Sequence, residues 1–273
     1  MASITAGIGL PHVPFLPALV LREGPTSETG QLFAQVREAM AAVPIDVIVE
    51  FSTDHLNTFF FDNLPIFGIG VADRFAGPND EVEAVPVSEV RSDRALAEHL
   101  RKAAISDGFD TALVQEFSVD HSFSVPLHFT TPDLTIPVIP VFVNGHIAPL
   151  PSARRCYALG QTLGRAVRSY GRELNVAFMG SGSFSLEVLG PLMFENRPYG
   201  IPDPAWAERI RALLATGDIE QMLQECTPEQ IHKAGNVGGE LFNWLAMLGA
   251  IGELRPHFVH LETRFGHAYG VWR

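Results

Sequence analysis

The chain has too little cysteine, too little basic charge and too few long apolar runs for several broad classes of protein. Only Cys156 and Cys226 occur among 273 residues, which leaves no disulfide framework. Both fall in or beside helix-like segments and read as buried thiols of a reduced, cytoplasmic protein. Lys and Arg number 19 against 31 Asp and Glu, a net charge of −12. That balance excludes nucleic acid and an anionic membrane as main partners, because both need a basic footprint. A small anionic substrate stays possible, since it could meet local Arg or His residues. No apolar run approaches the roughly 18 residues of a membrane span, and no basic region precedes an apolar stretch at the N-terminus. There is no internal repeat, no low-complexity segment and no clear linker, so residues 1–273 read as one domain. There is also no H-E-x-x-H helix, and no phosphate-loop lysine follows a glycine turn.

What is present is a core. Apolar residues make up 47% of the chain and charged residues 18%, ordinary for a globular protein. Ser3–Leu10 reads as a strand and Thr26–Val43 as a helix, with Leu32, Phe33, Val36 and Met40 at helical spacing. Ile45–Phe51 follows as a strand, and this β-α-β opening favours a parallel sheet. Pro65–Val71 reads as a short strand, 72–86 as loop, Ser88–Ser106 as a helix and Thr111–Gln115 as a strand. The prolines of Ile136–Phe142 suggest an irregular or edge strand. Ser152–Tyr170 reads as a helix and Asn175–Met179 as a strand. Helices are expected over 202–216, 217–224, from Pro228, and over Gly235–Ile251, before an aromatic-glycine tail, Phe265–Trp272, which carries His267 and could close over a pocket. The expected class is α/β, with a mostly parallel central sheet flanked by helices.

The polar residues at the strand ends carry the chemistry. Asp54 and His55 stand just past the carboxyl end of a buried strand, where ligands bind in open α/β sheets. His12 lies in Leu10-Pro11-His12-Val13-Pro14, a loop confined by two prolines. Asp120-His121 is a second such pair, again after a strand and beside phenylalanine. Glu240 follows two glycines near the start of the last long helix, where the helix dipole alone would favour an acid. Two imidazoles and one carboxylate on one face of a metal leave its other positions open, which suits non-haem Fe(II). Zinc hydrolases use the same donor types, so composition leaves both open.

Several motifs resemble one family. D-H-L-N-T-F-F-F-D-N-L-P-I-F-G-I-G, V-D-H-S-F-S-V-P-L, P-V-I-P-V-F-V-N-G, G-S-G-S-F-S and A-G-N-V-G-G-E-L-F-N-W are similar, in this order, to class III extradiol ring-cleavage dioxygenases. Within that family the motifs look most like the 2,3-dihydroxyphenylpropionate 1,2-dioxygenase branch. The resemblance implies Fe(II) held by His12, His55 and Glu240, O2 as co-substrate, and His121 as an active-site acid or base. It implies cleavage of a catechol-like or hydroxylated heteroaromatic ring next to the diol, in aromatic catabolism, by a homo-oligomer. One departure stands out. Leu186 occupies the place where the family carries a second histidine, the usual base for the catechol hydroxyl. A substrate that binds already deprotonated, such as a hydroxypyridone, or a substitute base among Glu187, His128 and His146, would answer it. A non-catalytic subunit beside an active homologous chain is the third reading.

Overall fold

Residues 1–191, 199–262 and 264–273 are described by the structure, a computed structural model. The chain runs β1 (Ser3–Leu10), α1 (Leu16–Glu23), α2 (Glu28–Ala41), β2 (Val47–Ser52), β3 (Phe67–Gly70), β4 (Arg74–Gly77), β5 (Ser88–Arg91) and α3 (Arg94–Ser106). It continues β6 (Ala112–Val114), α4 (His121–Thr130), β7 (Val138–Val143), α5 (Ala153–Ser169), β8 (Asn175–Ser181), β9 (Glu187–Val188) and β10 (Tyr199–Gly200). Then come α6 (Pro204–Thr216), α7 (Ile219–Glu225), α8 (Pro228–Lys233), a 3-10 turn (Gly238–Glu240), α9 (Leu241–Ile251), β11 (Pro256–Leu261) and β12 (Ala268–Trp272). Among the described residues no helix is long and apolar enough to cross a membrane.

One sheet of eight strands, ordered β11-β12-β1-β8-β2-β7-β3-β6, organises these elements. Its centre, β1-β8-β2-β7, is mutually parallel. β3 runs antiparallel to β7 and parallel to β6, and β12 runs antiparallel to β1 and β11. The sheet is therefore mixed and mostly parallel, as the sequence suggests. Both faces are covered, which is why the central strands read as unbroken apolar runs. Along β2, Val47, Val49 and Phe51 join the core under α3, α5 and α9, while Ile48 faces the core under α1, α2 and α4.

Four expectations are corrected. The helix expected from Ser88 starts later, because Ser88–Arg91 pairs with β4 as a hairpin. Asp93 then caps α3 by accepting from the Leu96 N–H. The stretch around Asp120-His121, to which no helix is assigned from the sequence, is α4, with Asp120 as its N-cap. β7 lies inside the sheet and not at its edge. Its register with β3 covers only Val141–Val143, so Pro140, which has no N–H to give, lies one position past the last β3–β7 pair, Ile69 with Val141. The aromatic-glycine tail does not close over a pocket; it supplies β12, hydrogen-bonded to β1. The helix α1 was not expected at all.

The same alternation that sends Ile48 to one face sends Glu50 there too. Glu50 is fully buried, and neither carboxylate oxygen has a hydrogen-bond partner among the described residues. Burial pushes its pKa well above the ordinary glutamate value. A carboxyl raised in the folded state keeps its proton as pH rises past the unfolded value, so folding weakens as pH climbs. Glu50→Gln is expected to remove that dependence. Its stability advantage over the wild type should widen from pH 5 to pH 8, by up to about 1.4 kcal/mol per pH unit. Denaturant melts at several pH values read this, and a gap that stays constant would refute a buried neutral carboxyl.

Candidate active site

The four parallel strands end side by side, and each delivers a polar group at its carboxyl end. β1 runs into His12, β8 ends at Ser181, β2 leads to His55 and β7 to His146. This is the crevice where open α/β sheets bind ligands. Glu240 enters from the 3-10 turn before α9, and His121 from the first turn of α4. α9 can come close because β1 and the β8 loop carry glycine. A Cβ on Gly9 would lie 2.1 Å from the Trp244 ring, and one on Gly182 (φ +135°) would lie 2.4 Å from Glu240 Cβ. Asn243 and Trp244 then tie α9 to the strand ends, donating to the carbonyls of Ser181 and Gly182.

Glu240 is the centre of the cluster. Its Oε2 accepts from the Ser183 N–H at 2.8 Å. Its Oε1 faces His12 Nε2 at 3.0 Å, His146 Nε2 at 3.2 Å and His55 Nε2 at 3.5 Å. Burial alone would raise the Glu240 carboxyl, but His12, His146 and His55 outweigh it and hold the pKa well below the usual range. Burial lowers His12 and His146. Burial also opposes charge on His55, yet its hydrogen bonds to Asp120 and Glu240 prevail and raise it to about 10.

Two of these rings are oriented from behind. Asp120 Oδ2 accepts from both the backbone N–H and Nδ1 of His55, at 2.8 and 3.0 Å. The Asp120 carboxyl is held far below its ordinary value, burial being outweighed by His55. His12 Nδ1 lies 3.0 Å from Ser181 Oγ. That hydroxyl donates to the Ser122 carbonyl at 3.0 Å, as does Ser52 Oγ. In a regular helix the Ser122 carbonyl would accept from the N–H of residue 126. Residue 126 is proline, inside α4, and has no N–H to give. The helix thus leaves one carbonyl for two serines, whose hydroxyls also lie 2.7 Å apart, and Ser181 Oγ holds the His12 ring from its Nδ1 side with Nε2 toward Glu240.

The sequence-named residues His12, His55, His121 and Glu240 all meet here. His12, His55 and His121 have donor atoms within 4.8 Å of one another, as do His55, His146 and Glu240. Either set could hold a metal ion. His121 Nδ1 is hydrogen-bonded to Asp80 Oδ2 at 2.5 Å, and its N–H to Asp80 Oδ1. His55 and His121 are therefore each held by a carboxylate remote in sequence, and not by the aspartate beside them. Asp54 instead accepts from the N–H groups of Asn57, Thr58 and Phe59 and shapes the loop. Asp80 was missed, lying in a stretch that reads only as loop. His146 was one of several loop histidines until Asn144 Oδ1, which accepts from its N–H, fixed the turn.

Other candidates fall away. Leu186 is buried, and Glu187 accepts from the Asn236 N–H at 2.5 Å. His128 faces a different groove. His267 is buried near Phe15 and Phe265, and burial lowers it to about 3.

A family model described as the catalytic LigB subunit of aromatic ring-opening dioxygenase matches residues 6–272. The chain belongs to this family. A 2,3-dihydroxyphenylpropionate/2,3-dihydroxicinnamic acid 1,2-dioxygenase of Klebsiella pneumoniae (strain 342) is 34% identical over 97% of this chain and 90% of its own. A protein of the same name from Escherichia coli O139:H28 is 34% identical, covering 89% and 88%. The crystal structure of an uncharacterized Escherichia coli K12 protein superposes with a TM-score of 0.60 over 98% of this chain and 99% of that one. At 14% identity it supports the fold alone. This LigB family member is an extradiol, ring-cleaving dioxygenase, which sets the hydrolase reading aside.

Pro126→Ala restores an N–H that competes with Ser52 and Ser181 for the Ser122 carbonyl. The fold should persist while His12 loses its fixed orientation. Metal affinity, read by titration calorimetry, is expected to fall about 10-fold or more. Unchanged affinity would show that the serine relay does not orient His12.

Proposed function

We propose that the chain binds Fe(II) through His12, His55 and Glu240 and, with O2 as co-substrate, opens the ring of a catechol-like or hydroxylated heteroaromatic compound. Residues 1–273 would act as one catalytic domain, assembling as a homo-oligomer. The observation that carries the proposal is the convergence of Nε2 atoms on Glu240 Oε1, with the far nitrogen of His12 and of His55 already engaged. Donors roughly 2.1 Å from a metal and at right angles lie about 3 Å apart, which the 3.0 Å from His12 to Glu240 matches. Two imidazoles and one carboxylate on one face leave room for further ligands. Bound there, Fe(II) supplies the redox chemistry with O2 that side chains lack.

The chain's own groups bind, orient and move protons. His146 has no hydrogen bond to Nδ1 among the described residues, unlike His12 and His55, so its ring is free to serve the substrate. From 3.2 Å beside Glu240 Oε1, its Nε2 takes the proton of the substrate hydroxyl, the task that Leu186 cannot perform. His121, held through Nδ1 by Asp80, keeps Nε2 for the ring-opening side; its ring centroid lies 4.2 Å from that of His55 and 5.8 Å from that of His12. Burial of the cluster keeps these transfers away from bulk water.

Protein reconstituted anaerobically with Fe(II) should take up O2 with catechols or hydroxypyridones, matched by a yellow ring-opened product. No uptake with iron bound at His12, His55 and Glu240 would sink the proposal. His146→Asn should lower kcat/KM for a catechol by about 10²–10⁴-fold and that for a hydroxypyridone, which can bind already deprotonated, much less. Equal losses on both would assign His146 a purely structural part.

A further inference from the structure

A cavity of about 600 Å³ lies against the cluster, within the range of small-molecule sites. His146 is in its wall, and the same imidazole contacts Glu240. Gly239, next to Glu240, lines it as well. A substrate held beside Glu240 would therefore meet this cavity on passing His146. The 145–153 connection between β7 and α5 forms one side, with Ala148, Pro149, Leu150 and Pro151. α8 and α9 form the other, with Ile231 and Phe242.

The charge of this space is as informative as its shape. Among the described lining residues there is no lysine or arginine. The cations of nearby helices are already engaged, Lys233 with Asp203 at 3.0 Å and Arg154 with Glu220. The polar lining is largely occupied too. Asn236 exchanges side-chain hydrogen bonds with the backbone of Val188, and Ser152 Oγ caps α5. The basic groups left in the lining are the imidazoles of His146, which contacts Glu240, and of His232, which is exposed to solvent. A carboxylate placed here would lose its water without gaining a permanently charged partner, which is costly, whereas an apolar group would gain from burial.

We propose that this cavity receives an uncharged, apolar substituent, alkyl or aryl, carried on the ring carbon beside the diol, and that Leu150 is a specificity-determining residue for it. The carboxylated side chain named for the Klebsiella and Escherichia relatives would then be disfavoured in this enzyme. This inference rests on ring cleavage at the His–Glu cluster.

Three compounds test it with the iron-loaded enzyme: catechol, 3-phenylcatechol and 2,3-dihydroxyphenylpropionate. The wild type is expected to favour 3-phenylcatechol over 2,3-dihydroxyphenylpropionate at least tenfold in kcat/KM. Leu150→Trp, which fills the cavity, should cut the ratio of 3-phenylcatechol to catechol about tenfold. Leu150→Arg should raise the relative rate for the carboxylated compound. A second readout needs no turnover: calorimetric binding of 3-phenylphenol to the metal-free protein, expected to be tight in the wild type and lost in Leu150→Trp. Preference for the carboxylated compound, or a Leu150→Trp ratio that does not move, overturns the inference while leaving ring cleavage intact. If none of the three is cleaved but 3-phenylphenol binding is lost in Leu150→Trp, ring cleavage fails and the cavity assignment stands. Absence of 3-phenylphenol binding to the wild type overturns the cavity assignment.

Discussion

One carboxylate oxygen, Glu240 Oε1, is the point on which this site depends. Three imidazoles approach it within 3.5 Å, and it is almost fully buried. An ionised carboxylate in such a place survives only if its surroundings are electropositive. The Ser183 N–H and the histidines supply that environment. Everything around the cluster is arranged to bring these groups together: parallel strand ends that stop in a row, glycines that let α9 descend, and a 3-10 turn that aims Glu240 back across the sheet.

The surrounding network shows how an irregularity in a helix can serve a site. Pro126 deprives α4 of one hydrogen bond, and the carbonyl so released organises Ser52 and Ser181. An unmet backbone carbonyl would be costly in the interior, so the serines and the proline stabilise one another. Asp120 plays a double part, capping α4 through Oδ1 and orienting His55 through Oδ2. α4 is thereby locked to both β2 and β8 at the active end of the sheet, and its own first residue, His121, is delivered to the same place.

The cavity beside His146 gives the family chemistry an individual setting. Ring cleavage belongs to the LigB family; which ring is cleaved is decided by what lies past the diol. Here that space is walled by prolines and aliphatic side chains from a connection after β7, a part of the chain free to vary without disturbing the sheet.

The sequence by itself determined the strand β1 to its last residue, the long helices, the α/β class, and the residues of the cluster as candidates, because buried strands and amphipathic helices have distinct apolar periods and because the motifs occur in family order. It could not determine which histidine pairs with which aspartate. Asp54 and His55 are neighbours in the chain, yet His55 is held by Asp120 and His121 by Asp80. Nor could it place β7 inside the sheet, since a proline's missing N–H matters only relative to the partner strand. The tail Phe265–Trp272 looked like a lid because its glycines and aromatics carry no clear alternation, and only pairing with β1 makes Ala268–Trp272 a strand. His146 became part of the site, and Leu186, Glu187 and His128 did not, for one reason. Proximity across the ends of parallel strands is set by sheet order, β1-β8-β2-β7, and sheet order is a property of the folded chain alone.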